Sequence, residues 1–145
     1  MKKFKKNDKG FTLVELIVVL VILAILAAIL VPSLLGYINK AKSEKNYDTA
    51  QSVHTAVQAL LTEQYGKDTG SNKLNLADIQ DLVGAESGKV TAVSYTTGST
   101  TLTDKAAYQV TGLDVTVDGH IYEYTGGQWS VVTTSALKGT PISAN

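Results

Sequence analysis

The stretch "GFTLVELIVVLVILAILAAILVPSLLG", Gly10 to Gly36, decides the architecture of this chain. As a helix, Phe11 to Val31 is about 31 Å long at ~1.5 Å per residue, and a bilayer has a hydrocarbon core of roughly 30 Å. The segment therefore predicts a membrane-spanning helix. It carries one charged side chain, that of Glu15. A carboxylate at the centre of a bilayer costs roughly 2.5 to 3.5 kcal/mol on insertion scales, so Glu15 needs an explanation.

Lysines crowd the residues before this segment and set its orientation. Residues 1–10 hold five lysines and one aspartate, whereas residues 11–145 hold eight lysines and twelve carboxylates. A basic flank stays in the cytoplasm, so the rest of the chain is expected outside the membrane. The acidic body also argues against a nucleic-acid partner, because phosphate binding draws on clustered cations.

Two simple interpretations of the N-terminal segment leave features unexplained. A secretory signal has an apolar core of about 7 to 15 residues and an A-x-A-like cleavage site. Here the apolar run is about twice as long. No two of the alanines Ala24, Ala27 and Ala28 are separated by a single residue, as an A-x-A site requires. A plain membrane anchor fits the length, but it does not explain why Glu15 lies inside the segment or why Pro32 interrupts it.

The motif "GFTLVE", Gly10 to Glu15, behind a lysine-rich leader resembles the class III signal of type IV pilins. The resemblance implies that a membrane peptidase cuts after Gly10 on the cytoplasmic face and methylates the new N-terminal residue, Phe11. It also implies that Glu15 pairs with the amine created by the cut, usually that of a neighbouring copy. An unpartnered member of a buried ion pair costs several kcal/mol, so such a pair rewards one register of assembly.

A kink or local melting is expected near the outer end of the apolar segment. Pro32 removes a backbone donor and disfavours the turn before it, and Gly36 is a second interruption. In the filaments to which the resemblance points, the segment before this proline unwinds, and a glycine commonly begins it. Here Ala24 stands at that position and favours the helix by about 1 kcal/mol over glycine.

The pattern stays helical from Asn39 to Tyr65, which predicts that one long helix continues out of the membrane and ends at Gly66. Two apolar stripes predict that one face covers a sheet while the other meets neighbouring helices. The first stripe comprises Ile38, Ala41, Ala50, Val53, Val57, Leu60 and Gln64, and the second comprises Tyr47, His54, Leu61 and Tyr65.

Two hairpins are predicted between Gly112 and Thr134, because Asp118-Gly119 and Gly126-Gly127 are two-residue turn signals. Both registers place the same side chains on one face of the sheet. The face expected to pack on the long helix carries Leu113, Val115, Val117, Tyr122, Tyr124, Trp129 and Val131. The face expected to be wet carries Asp114, Thr116, Glu123, Gln128 and Ser130.

The remaining elements have weaker signals. A short surface helix is predicted over Leu76 to Val83, with Asn75 as its N-cap and Gly84 just beyond its end. Weaker strands are predicted over Lys89 to Thr97 and Ala107 to Thr111, and Gly112 is expected to mark a bulge or turn. The tail from Lys138 to Asn145 has no clear period.

Candidate sites for chemistry are few. Asp114 and Glu123 are predicted to face each other on adjacent strands, which makes them weak candidates for a metal. Two carboxylates fall short of the six to eight oxygens that calcium takes, so no metal or other cofactor is predicted. His54 and His120 are interpreted as surface residues. The chain has no cysteine and no catalytic motif of the common hydrolase, kinase or zinc-enzyme types, so no enzyme is predicted.

The predicted fold class is α+β, with a long N-terminal helix packed through its second half on a small antiparallel sheet. The predicted parts are a cytoplasmic leader (residues 1–10), an apolar helix (11–38), its amphipathic continuation (39–66) and an extracytoplasmic globular domain (67–145). This architecture is similar to that of pilins. The cysteine-free, lysine-only composition looks most like pilins of Gram-positive bacteria.

The resemblance implies a structural subunit of a type IV pilus, held in the cytoplasmic membrane as a precursor and then assembled into an extracellular filament. The implied partners are other copies of the chain, the prepilin peptidase and methylase, the membrane, and an assembly ATPase with its membrane platform protein. Such filaments serve adhesion, motility or secretion. Two alternatives stay open at this point: a pseudopilin of a secretion or DNA-uptake system, and a membrane-anchored extracytoplasmic binding module.

Overall fold

The computed structural model describes residues 10–67, 71, 73–84, 89–137 and 139–142, so the predicted leader lies almost wholly outside the described residues. The chain divides into two units, residues 1–42 and 43–145. The α+β class is confirmed. The elements are helices α1 (Leu13–Gly66) and α2 (Leu76–Val83), the 3-10 helix η1 (Lys105–Tyr108), and strands β1 (Val90–Thr97), β2 (Val110–Val117), β3 (His120–Thr125), β4 (Gln128–Val132) and β5 (Thr140–Pro141).

The first unit consists of the apolar part of α1. The helix runs without a break through Pro32 and Gly36, and the Ser33 hydroxyl beside the proline donates to the Leu30 carbonyl at 2.8 Å. All the large apolar side chains from Phe11 to Ile38 are exposed. By length and composition α1 is able to cross a membrane. An apolar surface of this size requires either lipid or an apolar protein partner to cover it.

The second unit contains a five-stranded antiparallel sheet in the order β4-β3-β2-β1-β5. Both predicted hairpins form. Asp118 and Gly119 have φ of 50° and 79°, and Gly126 and Gly127 have φ of 59° and 83°. Positive φ at both central residues is the type I′ geometry that matches the twist of paired strands. The predicted pairings follow, including Leu113 with Tyr124, Val115 with Tyr122 and Tyr124 with Trp129.

The core lies between the second half of α1 and one face of the sheet. Helix residues Ala50, Val53, Val57 and Leu61 are buried in the same cluster as strand residues Leu113, Val115 and Val117. The prediction of two separate helix faces is wrong, because residues of the second stripe join this core. Leu61 is fully buried, and the half-buried Tyr47 ring packs 6.0 Å from Trp129. The two stripes therefore form one broad buried face.

Helix α2 has the predicted bounds. The Asn75 side chain accepts a hydrogen bond from the Ala77 N–H at 2.9 Å, as an N-cap does, and Gly84 ends the helix with a φ of 73°. Leu76 and Ile79 are buried against the core, whereas Leu82 is exposed. Val83 also packs partly against this core, and the other face of α2 is exposed, as expected for a short surface helix.

The predicted strand over Ala107 to Thr111 is wrong in its first half. Asp104 caps a turn of 3-10 helix, its carboxylate accepting from the Ala106 N–H at 3.0 Å, and strand β2 begins only at Val110. The expected bulge near Gly112 is confirmed. Thr96 pairs with Gly112 and Thr97 pairs with Val110, which leaves Thr111 as the extra residue on β2.

Two predictions about the exposure of strand residues are also wrong. Val131 lies on the edge strand β4 and is 60% exposed, beside an open cavity that it lines together with Tyr47 of α1. Asp114 was assigned to the wet face but is only 5% exposed. Residues 133–137, which we call the strap, follow β4 and contact the outer face of the sheet over Asp114.

The C-terminal tail forms a strand that has no sequence signal. Strand β5 pairs with β1 at the edge opposite to β4, and Ile142 is buried with its N–H donating to the Val93 carbonyl at 2.9 Å. Gly139 allows this close approach, since a Cβ there would lie 2.8 Å from the Tyr95 carbonyl oxygen. A two-residue strand is too short to show an alternating pattern of apolar and polar residues, so the sequence does not predict β5.

Gln58 joins α1 to the junction of η1 and β2. Its Oε1 accepts from the Val110 N–H and its Nε2 donates to the Tyr108 carbonyl, each at 2.9 Å. Gln58→Ala leaves both backbone groups without this partner, and we expect it to lower the free energy of unfolding by roughly 2 to 4 kcal/mol. Chemical denaturation of the full chain in detergent measures the loss. The control is Gln51→Ala at an exposed position of α1, and equal midpoints for the two variants would refute the assigned role.

Candidate assembly site at the start of the apolar helix

The first turn of α1 is closed by a capping box between Thr12 and Glu15. The Thr12 N–H and hydroxyl both donate to Glu15 Oε2, at 2.9 and 2.8 Å, and the Glu15 N–H donates to Thr12 Oγ1 at 3.2 Å. Since α1 begins at Leu13, Thr12 is the N-cap and Glu15 occupies the third helical position. The pattern T-x-x-E is the sequence signature of this motif. The sequence interpretation used Glu15 and overlooked Thr12, although this signature was available to identify it.

The capping box explains how a carboxylate is tolerated in the apolar segment of a single chain. Glu15 Oε2 accepts two hydrogen bonds from Thr12, and the carboxylate also lies at the positive end of the helix dipole. Hydrogen bonds from neutral donors reduce the cost of removing a carboxylate from water without cancelling its charge. Glu15 is thus held in place on its own chain while its negative charge stays available to a cation.

The predicted cleavage site directly precedes this turn. Gly10 and Phe11 lie outside the helix and are exposed, with Phe11 86% exposed, and a Cβ added to Gly10 would meet no atom within 4 Å. A cut between them changes the nitrogen of Phe11 from a neutral amide to a cationic amine. This amine is formed one residue before Thr12, the N-cap of the helix in which Glu15 is the third residue. The new cation and the existing carboxylate are therefore four residues apart in the chain, on either side of the N-cap.

Pro32 and Gly36 lie at the far end of the exposed apolar surface. Both residues are helical, and a Cβ at Gly36 would meet no atom within 4 Å. The helix of the single chain is thus intact at both positions.

The two histidines lie in different surroundings. His54 is not the surface residue that was predicted, because its ring packs 4.5 Å from Tyr124 and 6.1 Å from Trp129. Burial lowers the pKa of His54 and favours the neutral ring. His120 is exposed beside the first hairpin turn, with Nδ1 3.1 Å from the Asp118 carbonyl oxygen. These contacts place His54 in an aromatic packing cluster rather than in a reactive site.

The two candidate metal residues face each other as predicted. Asp114 and Glu123 pair across β2 and β3, but within the described parts of the chain no group of three or more His, Cys, Asp or Glu residues is placed to hold a metal ion. Burial is the main cause that raises the pKa of Asp114. The Glu123 charge raises it further, against hydrogen bonds from Ser135 and the Leu137 backbone. Burial and the like-charged neighbour therefore both disfavour the charged form of Asp114.

Comparison with known proteins matches the N-terminal segment to a defined motif. A family model described as the prokaryotic N-terminal methylation motif matches residues 5–31. The chain is 35% identical over 83 residues to a fimbrial protein of Moraxella nonliquefaciens, covering 57% of this chain and 53% of that protein. It is 39% identical over 80 residues to the type IV wide pilus major component PilA4 of Thermus thermophilus, covering 46% of this chain and 61% of that protein.

These matches confirm the resemblance that the leader motif carries. The chain spans little more than half the length of these curated relatives, 53% and 61%. No solved structure matches the chain significantly. The matched motif covers the capping box and the apolar first part of α1, which are the features that the geometry of the first unit brings together.

Proposed function

We propose that this chain is a structural subunit of a type IV pilus. It is made as a membrane-anchored precursor, cut after Gly10, methylated at Phe11 and polymerised through its apolar helix. One observation carries the proposal: an apolar helix with exposed side chains from Phe11 to Ile38 begins with a capped glutamate inside the matched N-terminal methylation motif. A membrane anchor alone has no use for that glutamate.

The exposed apolar surface serves two environments in succession. In the precursor, lipid covers the side chains from Phe11 to Ile38, with the lysine-rich leader in the cytoplasm and the second unit outside. In the filament, the same side chains pack against the helices of other copies. Both environments are apolar, so the transfer exchanges lipid contacts for protein contacts without exposing the helix to water.

Glu15 sets the register during this transfer. Cleavage creates a cation at Phe11, and a cation within an apolar bundle needs an anion close by. A neighbouring copy displaced by about one helical turn, ~6 Å, brings its Phe11 amine level with Glu15. Other displacements leave an amine and a carboxylate unpaired at a cost of several kcal/mol. Pro32 and Gly36 give the helix a place to kink or unwind when copies pack.

The partners follow from this route. A prepilin peptidase that is also a methylase processes the leader, and an assembly ATPase with its membrane platform protein extracts the subunit. Other copies of the chain form the filament. The names of the two relatives, a fimbrial protein and a major pilus component, support this assignment.

Immunogold labelling of cells with an antibody against the second unit tests the proposal. Long labelled surface fibres, absent from a strain that lacks the gene, are the expected result. Fibres that never extend beyond the envelope would assign the chain to a pseudopilin of a secretion or DNA-uptake system. Label confined to the membrane, on a chain that keeps its leader, would identify an anchored binding module and contradict the proposal.

A further inference from the structure

The strap ties the two edges of the sheet together across its outer face. It leaves β4 at one edge, and the chain reaches β5 at the other edge. The Ser135 hydroxyl donates to Asp114 Oδ2 on β2, and the Ala136 N–H donates to Glu123 Oε2 on β3 at 3.3 Å. In both hydrogen bonds the acceptor is a carboxylate oxygen. Closure of the strap therefore depends on the state of this acidic pair.

The surroundings of Asp114 disfavour its charge. The residue is 5% exposed, and its Oδ1 is buried without a hydrogen-bond partner. On the neighbouring strand β1 it faces the uncharged Ser94, and the strap residues above it carry no charge. Within the described residues, Glu123 is the one charged group that acts on it, and that group has the same sign. A buried carboxylate with an orphan oxygen and a like-charged neighbour requires a positive partner or a proton.

The pairing geometry brings the two acids close together. In an antiparallel hairpin with a two-residue turn, the residues flanking the turn form a hydrogen-bonded pair, and the pairs then alternate. Counting from Val117 and His120, Asp114 and Glu123 form a non-hydrogen-bonded pair. Side chains of such pairs approach each other most closely, to about 4.5 to 5.5 Å between their Cβ atoms. This is within the reach of a hydrogen bond between two carboxyl groups.

We propose that Asp114 carries a proton on Oδ1 and donates it in a hydrogen bond to the Glu123 carboxylate, and that this proton holds the strap closed over the sheet. The proton satisfies Asp114 Oδ1 and removes the repulsion between the two acids. Ser135 and Ala136 then hold the strap on their other oxygens. A divalent cation fits less well, because two carboxylates, one of them already engaged by a hydroxyl, supply too few oxygens.

The dependence on pH has a definite sign. Burial and the neighbouring charge raise the pKa of Asp114 above its ordinary value of 3.8, so the closed strap binds the proton more tightly than the open strap does. Closure is therefore fully supported below the ordinary pKa and is lost as the pH rises through the raised pKa. Each unit by which the pKa is raised corresponds to about a tenfold change in the opening equilibrium.

Hydrogen exchange on the full chain in detergent micelles tests this switch. The rates of the Ser135 to Leu137 amides are divided by those of buried α1 amides in the same sample, which cancels the intrinsic effect of pH. Between pH 4 and pH 8 we expect the ratio to rise with pH in the wild type. In Asp114→Asn, which needs no proton, we expect a closed strap and a flat ratio. Asp118→Asn, at an exposed turn, is the matched control and should follow the wild type.

Two further variants separate the proton from other causes. Ser135→Ala removes one hydrogen bond of the strap, so it should give a higher exchange ratio than the wild type at every pH. The ratio of this variant should still increase with pH. In Glu123→Gln the side-chain amide N–H is able to donate to Asp114 at any pH, so the strap should stay closed to higher pH. This variant serves as a second test if Asp114→Asn folds poorly. A flat ratio in the wild type would overturn the proposal. So would closure at high pH by added calcium in the wild type, which would assign the site to a cation.

Discussion

Replacing Glu15 by alanine is expected to reduce the yield of filaments at least tenfold while the chain still inserts into the membrane. Removing a carboxylate from the apolar segment favours insertion by roughly 2.5 to 3.5 kcal/mol if the group lies at the bilayer centre. Without it, however, the amine of a packed neighbour has no anion, and an unpaired buried charge costs roughly 3 to 5 kcal/mol. Sheared filaments and membrane-bound chain are quantified from the same culture.

Two variants locate the cause of that loss. Glu15→Gln keeps an acceptor for Thr12 but carries no charge, and we expect it to lose filaments as Glu15→Ala does. Glu63→Ala removes a carboxylate on the same helix that forms an exposed ion pair with Lys67, just beyond the end of that helix, and it should leave the yield unchanged. Normal filaments from Glu15→Gln would mean that the capping box matters and the ion pair does not. Normal filaments from Glu15→Ala would refute the role of Glu15 altogether.

Leu61→Ala is expected to have the largest effect on the stability of the second unit. Leu61 is fully buried where α1 meets the sheet, so truncation loses apolar burial and leaves a cavity. Losses for such substitutions are about 2 to 5 kcal/mol, which is a large share of the stability of a small domain. Denaturation followed by the fluorescence of Trp129, which packs in the same domain, measures the change.

The control for this experiment is the same substitution at an exposed position. Leu82 on α2 is 58% exposed, and Leu82→Ala should change the unfolding free energy by no more than about 0.5 kcal/mol. Equal losses for the two variants would mean that the second half of α1 does not form the core with the sheet. A small loss of unfolding free energy in both variants would lead to the same conclusion about α1 and the sheet.

The parts of this fold that sequence predicts are those with local causes. The two hairpins follow from Asp118-Gly119 and Gly126-Gly127, because a two-residue turn sets the register of the strands on either side. The bounds of α2 follow from its caps. Strand β5 and the strap have no such signal. Strand β5 forms because Gly139 and Ile142 meet β1, and the strap is held by Asp114 and Glu123; both are contacts between distant parts of the chain.

The candidate sites follow the same division. Gly10, Phe11 and Glu15 stand in one short motif, and the structure adds Thr12 through a capping box that the motif already encodes. Asp114 is different. Its position opposite Glu123 follows from the hairpin, but its burial depends on a strap that approaches from the far edge of the sheet. No local pattern around Asp114 indicates that cover.

The most direct measurement is the intact mass and N-terminal peptide of the chain isolated from sheared surface filaments. The proposed function predicts a single mature species that begins at Phe11 and carries one added methyl group on its N-terminal nitrogen. Filaments built from a chain that retains Met1 to Gly10, or that begins at an unmethylated residue elsewhere, would contradict it. In either of those cases the amine that Glu15 is proposed to receive would not be formed at its place in the helix.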